Sequence, residues 1–267
     1  MKRYRFRYES SVVFSAPVSS HSWLLRSLPK QEQFQRTEWD SLRLEAGLPD
    51  GSSVDVPVRA AVDAFGSRVQ FGHTAQPHVR LTLTAEGVVA QSPYRICGTA
   101  HGMYFPPSPL TLPSDEMLAF AREQDLDGAG FPSISERARA VSSAVHGRMR
   151  YAPGSTGVAT TAAQAFALGQ GVCQDFAHIA LALLRHAGIA ARYVCGFLPG
   201  EGATHAWVEY FDCGVWLALD PTHDRAVDYG CIKIAHGRDS ADCAVNRGVF
   251  TGRASQLSSV SIKVDPV

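Results

Sequence analysis

Three residues within one stretch of the chain could together carry nucleophilic chemistry: Cys173, His205 and Asp220. A thiol attacks a carbonyl only as its thiolate, so it needs a base within reach. An imidazole serves as that base only if a third group holds it in the right tautomer and orientation, and a carboxylate does this well. Taken singly, each residue has a plainer reading. Most cysteines are small buried residues, a histidine in a strand is commonly structural, and Asp before Pro221 favours a turn. The three together are less easily explained that way.

The flanking residues supply the elements that would position them. Phe176, Ile179, Ala180, Leu183, Leu184 and Ala187 form one helical stripe, with Arg185 and His186 in the last turn and Gly188 as the stop. The helix begins near Cys173, after Gly169-Gln-Gly171. A thiol there faces unpaired N–H groups and the positive end of the helix dipole, which favour a thiolate and a developing oxyanion. Next, His205–Phe211 alternates like a strand, and Val215–Asp220 is a short apolar run after the turn signal Asp212-Cys-Gly214. A turn centred between Asp212 and Cys213 predicts His205 directly opposite Asp220, with Cβ atoms ~4.5–5.5 Å apart.

The rest of the chain bounds the setting. With 25 basic and 25 acidic residues in 267, it is formally neutral, which gives no reason to expect nucleic acid or an anionic membrane as partner. The basic start, Met1–Arg7, is followed by a stretch too short and polar for a signal core, so a cytoplasmic location is expected. The six cysteines include no CxxC pair, so free thiols are expected rather than a disulfide scaffold or structural zinc.

Residues 1–95 read as a β-sandwich-like domain. Tyr4, Phe6 and Tyr8 alternate with arginines, Val54, Val56 and Val58 alternate, as do Val79, Leu81 and Leu83, and Asp63-Ala-Phe-Gly66 marks a hairpin. Trp23 and Trp39 read as core of this domain. Residues 96–113, with Phe105-Pro-Pro-Ser-Pro109, read as a linker. From 114 to 267 the pattern is α+β, with helices opening at Ser114-Asp-Glu116 and at Ser135-Glu-Arg, the second burying Ala138, Val141, Ser142 and Val145.

Four motifs then resemble the transglutaminase-like superfamily: Gly171-Val-Cys-Gln-Asp-Phe-Ala177, Gly188–Gly196, Thr204-His-Ala-Trp-Val-Glu209 and Leu219-Asp-Pro-Thr222. Tyr151–Thr156, Ala235–Asp239 and Arg247-Gly248 resemble the same group. Cys195 stands where the family favours a small polar residue. The resemblance implies a papain-like core, with Cys173 as nucleophile on a helix and His205 and Asp220 on an antiparallel sheet. It also implies acyl transfer on amide bonds of a protein or peptide, with hydrolysis favoured over cross-linking. That chemistry calls for no cofactor or metal, and oligomeric state stays open. Tyr151 and Trp207 are candidates for oxyanion or substrate contact, although both could simply pack. Asp175 is expected to cap the helix, His178 to sit at the surface or core edge, His223 to border the cleft, and Arg238 and Asp239 to pair. Competing readings are an arylamine N-acetyltransferase, a silent binding module, and metal binding through His205, Cys213, Cys231 and His236.

Overall fold

The run Arg3-Tyr-Arg-Phe-Arg-Tyr8 opens a long strand in which Phe6 and Tyr8 are buried and the arginines face solvent, as period-2 alternation requires. The computed structural model describes residues 1–128 and 130–267. In chain order the first elements are β1 (Lys2–Leu25), β2 (Gln35–Gly47), β3 (Ser53–Asp55), β4 (Arg59–Val62), β5 (Arg68–Thr74), β6 (His78–Gln91) and β7 (Ile96–Cys97). There follow α1 (Asp115–Glu123), α2 (Ile134–Arg148), β8 (Arg150–Tyr151), α3 (Ala162–Leu168), β9 (Gln170–Gly171) and α4 (Cys173–His186). The rest is β10 (Ala191–Phe197), β11 (Gly200–Gly202), β12 (His205–Asp212), β13 (Val215–Asp220), β14 (Arg225–Ala226), β15 (Ile232–Gly237), β16 (Asn246–Thr251) and β17 (Gln256–Pro266).

The N-terminal β region is one nine-stranded antiparallel sheet in which β1 serves twice. Its first half pairs with β6 and β17; after a register shift between Val13 and Val18 its second half pairs with β5 and β16. A shared strand therefore joins what the sequence suggests as a sandwich. β16 and β17 also cross the expected boundary: residues within the span 114–267 complete the first sheet. Asp63-Ala-Phe-Gly66 does turn between β4 and β5, with Asp63 Oδ1 accepting the N–H groups of Phe65 and Ser67. Trp23 is buried, but Trp39 is 48% exposed, beside a register shift in β2.

The second sheet runs β14-β13-β12-β10-β15, with β7 on β13. Residues 96–113 are accordingly not a free linker. β7 pairs with β13, and Thr111 is fully buried, its hydroxyl accepting from Arg185 Nη1 at 2.8 Å. Ser114 and Ser133 cap α1 and α2, and α2 buries the four residues of its stripe. On one face of β12, Ala206, Val208 and Tyr210 join the α4 side chains and Phe6 and Tyr8 in a single apolar cluster. Phe197 packs at a tilt against Phe6 and stacks on Tyr8, with ring centroids 5.9 and 5.4 Å apart, so the two sheets share a core.

The other face of β12 carries His205, Trp207 and Glu209. Glu209 is fully buried and bonded by Arg192, Tyr94 and Lys233, whose Nζ lies 2.8 Å from Glu209 Oε1 and 3.0 Å from Glu32 Oε1. Glu32 belongs to the segment between β1 and β2, so this ionic cluster ties that segment to the second sheet. Burying such charges is tolerable only because each is paired.

Candidate active site

Cys173 is the first residue of α4, so its amide lies among the N–H groups that lack acceptors within the helix. Asp175 fixes that terminus as expected. Its Oδ2 accepts the Val172 N–H at 2.7 Å and the Thr156 hydroxyl at 2.6 Å, which also pins the preceding loop. A side chain at Gly171 would collide with Asp175, and Gly171 pairs with Tyr151 across β8 and β9. Sequence thus places the thiol, half-buried, where loop, strand and helix meet.

β12 and β13 deliver the other two residues, through a register two positions from the expected one. Asp212 pairs with Val215 and Val208 with Leu219, around the two-residue turn Cys213-Gly214. Both turn residues have positive φ, 46° and 86°, the conformation that matches the twist of a tight hairpin. Asp220 is therefore diagonal to His205 on the same face, a spacing long side chains span. His205 Nε2 donates to Asp220 Oδ2 at 3.0 Å. Its Nδ1 is left for the thiol side.

Burial would lower the His205 pKa, but the hydrogen bonds to Asp220 and the Cys173 thiol raise it to about 9. Burial pushes the Asp220 carboxyl up, yet the bonds from His205 and His223 hold it below the usual range. Desolvation and the neighbouring Cys173 raise the Tyr151 phenol. The pair can therefore hold a proton on the imidazole beside the thiol. By contrast, burial drives the Cys195 thiol up to about 12, so this departure from the family pattern is inert. All six cysteines are free.

A cleft of about 550 Å³ opens beside these residues, lined by Tyr151, Leu198, Pro199, Glu201, Thr204, His205, His223 and Ile262. β11, just before His205, pairs with β17, and Gly202 lies opposite Ile262. The first sheet thus supplies a wall of the cleft.

The remaining candidates fall into place around this core. Tyr151 lies on the cleft, 54% exposed, with its hydroxyl available. Trp207 is fully buried and cannot meet a substrate. It lies behind His205, ring centroids 6.5 Å apart, and donates to Tyr94 Oη at 3.2 Å. Gly196, opposite His205 on β10, makes room for it; an added methyl would strike the Trp207 ring and the Ile232 carbonyl. His178 is buried rather than at an edge, and burial lowers its pKa to about 4. Arg238 pairs with Asp242, not Asp239. His236 belongs to the Glu32 cluster and Cys213 to an exposed turn, so the set His205, Cys213, Cys231 and His236 does not come together.

Sequence reasoning left one close contact unassigned. His223 Nδ1 donates to Asp220 Oδ2 at 2.6 Å, on the oxygen that His205 also uses. The signal was present: the Asp-Pro turn returns residue 223 over residue 220, and His223 N–H reaches the Asp220 carbonyl at 3.3 Å. Among the described residues, His205, Asp220 and His223 also form a cluster whose ligand atoms lie within 4.8 Å of one another. In this structure those atoms satisfy each other, with Arg225 Nε 3.7 Å from Asp220 Oδ2 opposing a further cation.

A half-buried thiol at a helix start, facing an imidazole and carboxylate carried by an antiparallel sheet, defines the transglutaminase-like class of core. Residues 121–221 match the transglutaminase-like superfamily. Across its length the chain is similar to an uncharacterized protein of Mycobacterium tuberculosis, 29% identical over 299 residues, covering 99% of this chain and 93% of that one. It is also similar to an uncharacterized Mycobacterium leprae protein, 36% identical over 127 residues, covering 44% and 45%. A solved structure from Cytophaga hutchinsonii, described as a putative cysteine protease, shares the fold with a TM-score of 0.74 at 20% identity, covering 100% of this chain and 91% of that one. Among the described residues, no helix is long and apolar enough to cross a membrane.

Proposed function

We propose that the protein is a cysteine acyl-transfer enzyme that hydrolyses amide bonds of a peptide or protein, with Cys173 as nucleophile, His205 as base and Asp220 as orienting acid. One observation carries this reading: the buried Asp220–His205 pair, whose imidazole is raised to about 9 by the carboxylate and the thiol together. An imidazole held in this way by a carboxylate can exchange a proton with an adjacent thiol, which is what activates a cysteine nucleophile.

The Cys173 thiolate attacks the amide carbonyl, and the oxyanion is met by the Cys173 N–H and, from the cleft side, the Tyr151 hydroxyl. Collapse breaks the C–N bond, and the leaving amine takes the proton from His205. Water then adds to the thioester, returns a proton to His205 and releases the acid with Cys173 as thiolate. Water is the abundant acceptor, which favours hydrolysis over cross-linking.

The test is alkylation by iodoacetamide from about pH 5 to 9, with each cysteine followed by mass spectrometry. Cys173 should react faster below pH 7 than the exposed Cys97 and Cys213, and His205→Ala should abolish the difference. Equal rates at the three thiols would remove the basis for the nucleophile. A peptide-library digest, compared with Cys173→Ala, then reports bond cleavage directly.

A further inference from the structure

One carboxylate oxygen sets the tautomers of two imidazoles. Ionised Asp220 only accepts, so His205 must carry its proton on Nε2 and His223 on Nδ1. In the neutral rings the lone pairs therefore sit on His205 Nδ1 and His223 Nε2. The ring centroids are 5.1 Å apart, and both residues line the same cleft. The His223 side chain is 46% exposed, so it meets whatever enters. Its position is built rather than incidental. Thr222 N–H donates to Asp220 Oδ1 at 3.0 Å, His146 Nδ1 lies 3.1 Å from the Thr222 carbonyl oxygen, and the Ser143 hydroxyl donates to Asp224 at 2.7 Å. These bonds lock the turn that holds His223.

We propose that His223 binds the acceptor in the second half of acyl transfer, favouring an attacking atom that carries two hydrogens. The inference rests on the acyl-enzyme reading given above. In the step, the acceptor oxygen or nitrogen bonds to the thioester carbonyl carbon. The C–S bond breaks with its electron pair on Cys173. One acceptor hydrogen passes as a proton to His205 Nδ1, restoring the imidazolium–thiolate pair. The other stays on the acceptor and is held by His223 Nε2. Water and a primary amine satisfy both imidazoles. A secondary amine or an alcohol has a single hydrogen and leaves His223 without a partner in a partly desolvated site.

The full-length protein is tested with p-nitrophenyl acetate as acyl donor. The p-nitrophenolate burst reports acylation of Cys173, and its steady state reports deacylation. Glycinamide and its N-methyl counterpart sarcosinamide serve as competing acceptors. In the wild type, glycinamide should capture the acyl group in preference to sarcosinamide. In His223→Leu that preference should shrink by about fivefold to tenfold, and deacylation should slow by a similar factor relative to the burst, as expected for one lost hydrogen bond. His223→Gln keeps a donor for Asp220 and an acceptor for the cleft, and should recover part of both. If burst and steady state fall together in His223→Leu with the amine preference unchanged, His223 only props Asp220 and the proposal is wrong. Absence of a burst together with no acetyl group on Cys173 in mass spectra of the acid-quenched wild type would instead remove the acyl-enzyme reading, and this inference with it.

Discussion

Replacing Asp220 by Asn tests the electrostatic basis of the site directly. The wild-type His205 imidazole is raised from 6.5 to about 9, against a burial effect that acts downward. That rise favours the imidazolium by about 3 kcal/mol, and the hydrogen bond to Asp220 is its largest favourable source. An amide keeps the shape but removes the charge, so burial should dominate and the imidazole should titrate below 7. The assay is a titration of the His205 ring by nitrogen-detected NMR, paired with Cys173 alkylation at pH 7, which should slow by about tenfold to a hundredfold. Stability should follow the same linkage. A folded imidazole raised above its unfolded value contributes fully below about pH 6.5 and loses that contribution as pH climbs through about 9. On the acid side the contribution ends as the depressed Asp220 carboxyl takes a proton. The wild-type advantage over Asp220→Asn should therefore be greatest between those limits. A wild-type midpoint near 6.5, or one in the variant within half a unit of the wild type, would refute the reasoning.

Two further outcomes follow from packing. Gly196→Ala sets a methyl against the Ile232 carbonyl and the Trp207 ring and should destabilise by about 1–3 kcal/mol in urea unfolding, while slowing Cys173 labelling through a displaced His205. Lys233→Met strips the fully buried Glu209 of a partner and leaves Glu32 short of one. It should lose about 3–5 kcal/mol, seen as a fall in Tm of about 10 °C.

What the sequence made legible was local. The α4 stripe, the position of Cys173 at its start, the Asp175 cap and the two strands carrying His205 and Asp220 all follow from periodicity and short motifs. The hairpin register did not, because Cys213 adopts a left-handed conformation that its residue type does not advertise, leaving Gly214 as the sole cue. Strand alternation puts Trp207 on the face of His205 and leaves open whether it packs or meets a substrate; the contact with Tyr94, far away in sequence, shows that this face is covered. The pairing of β17 with β1 joins opposite ends of the sequence, and no local pattern encodes so distant a partner.

That pairing has a consequence for biogenesis. β1 cannot gain its β17 neighbour, nor β11 its edge partner, until residues 256–266 have left the ribosome. Ile262 joins the cleft at the same moment. Contacts this distant close slowly, so Cys173 is translated well before the cleft beside it is assembled. The order of translation thus delays closure of the cleft until residues 256–266 are free to pair with β1 and β11.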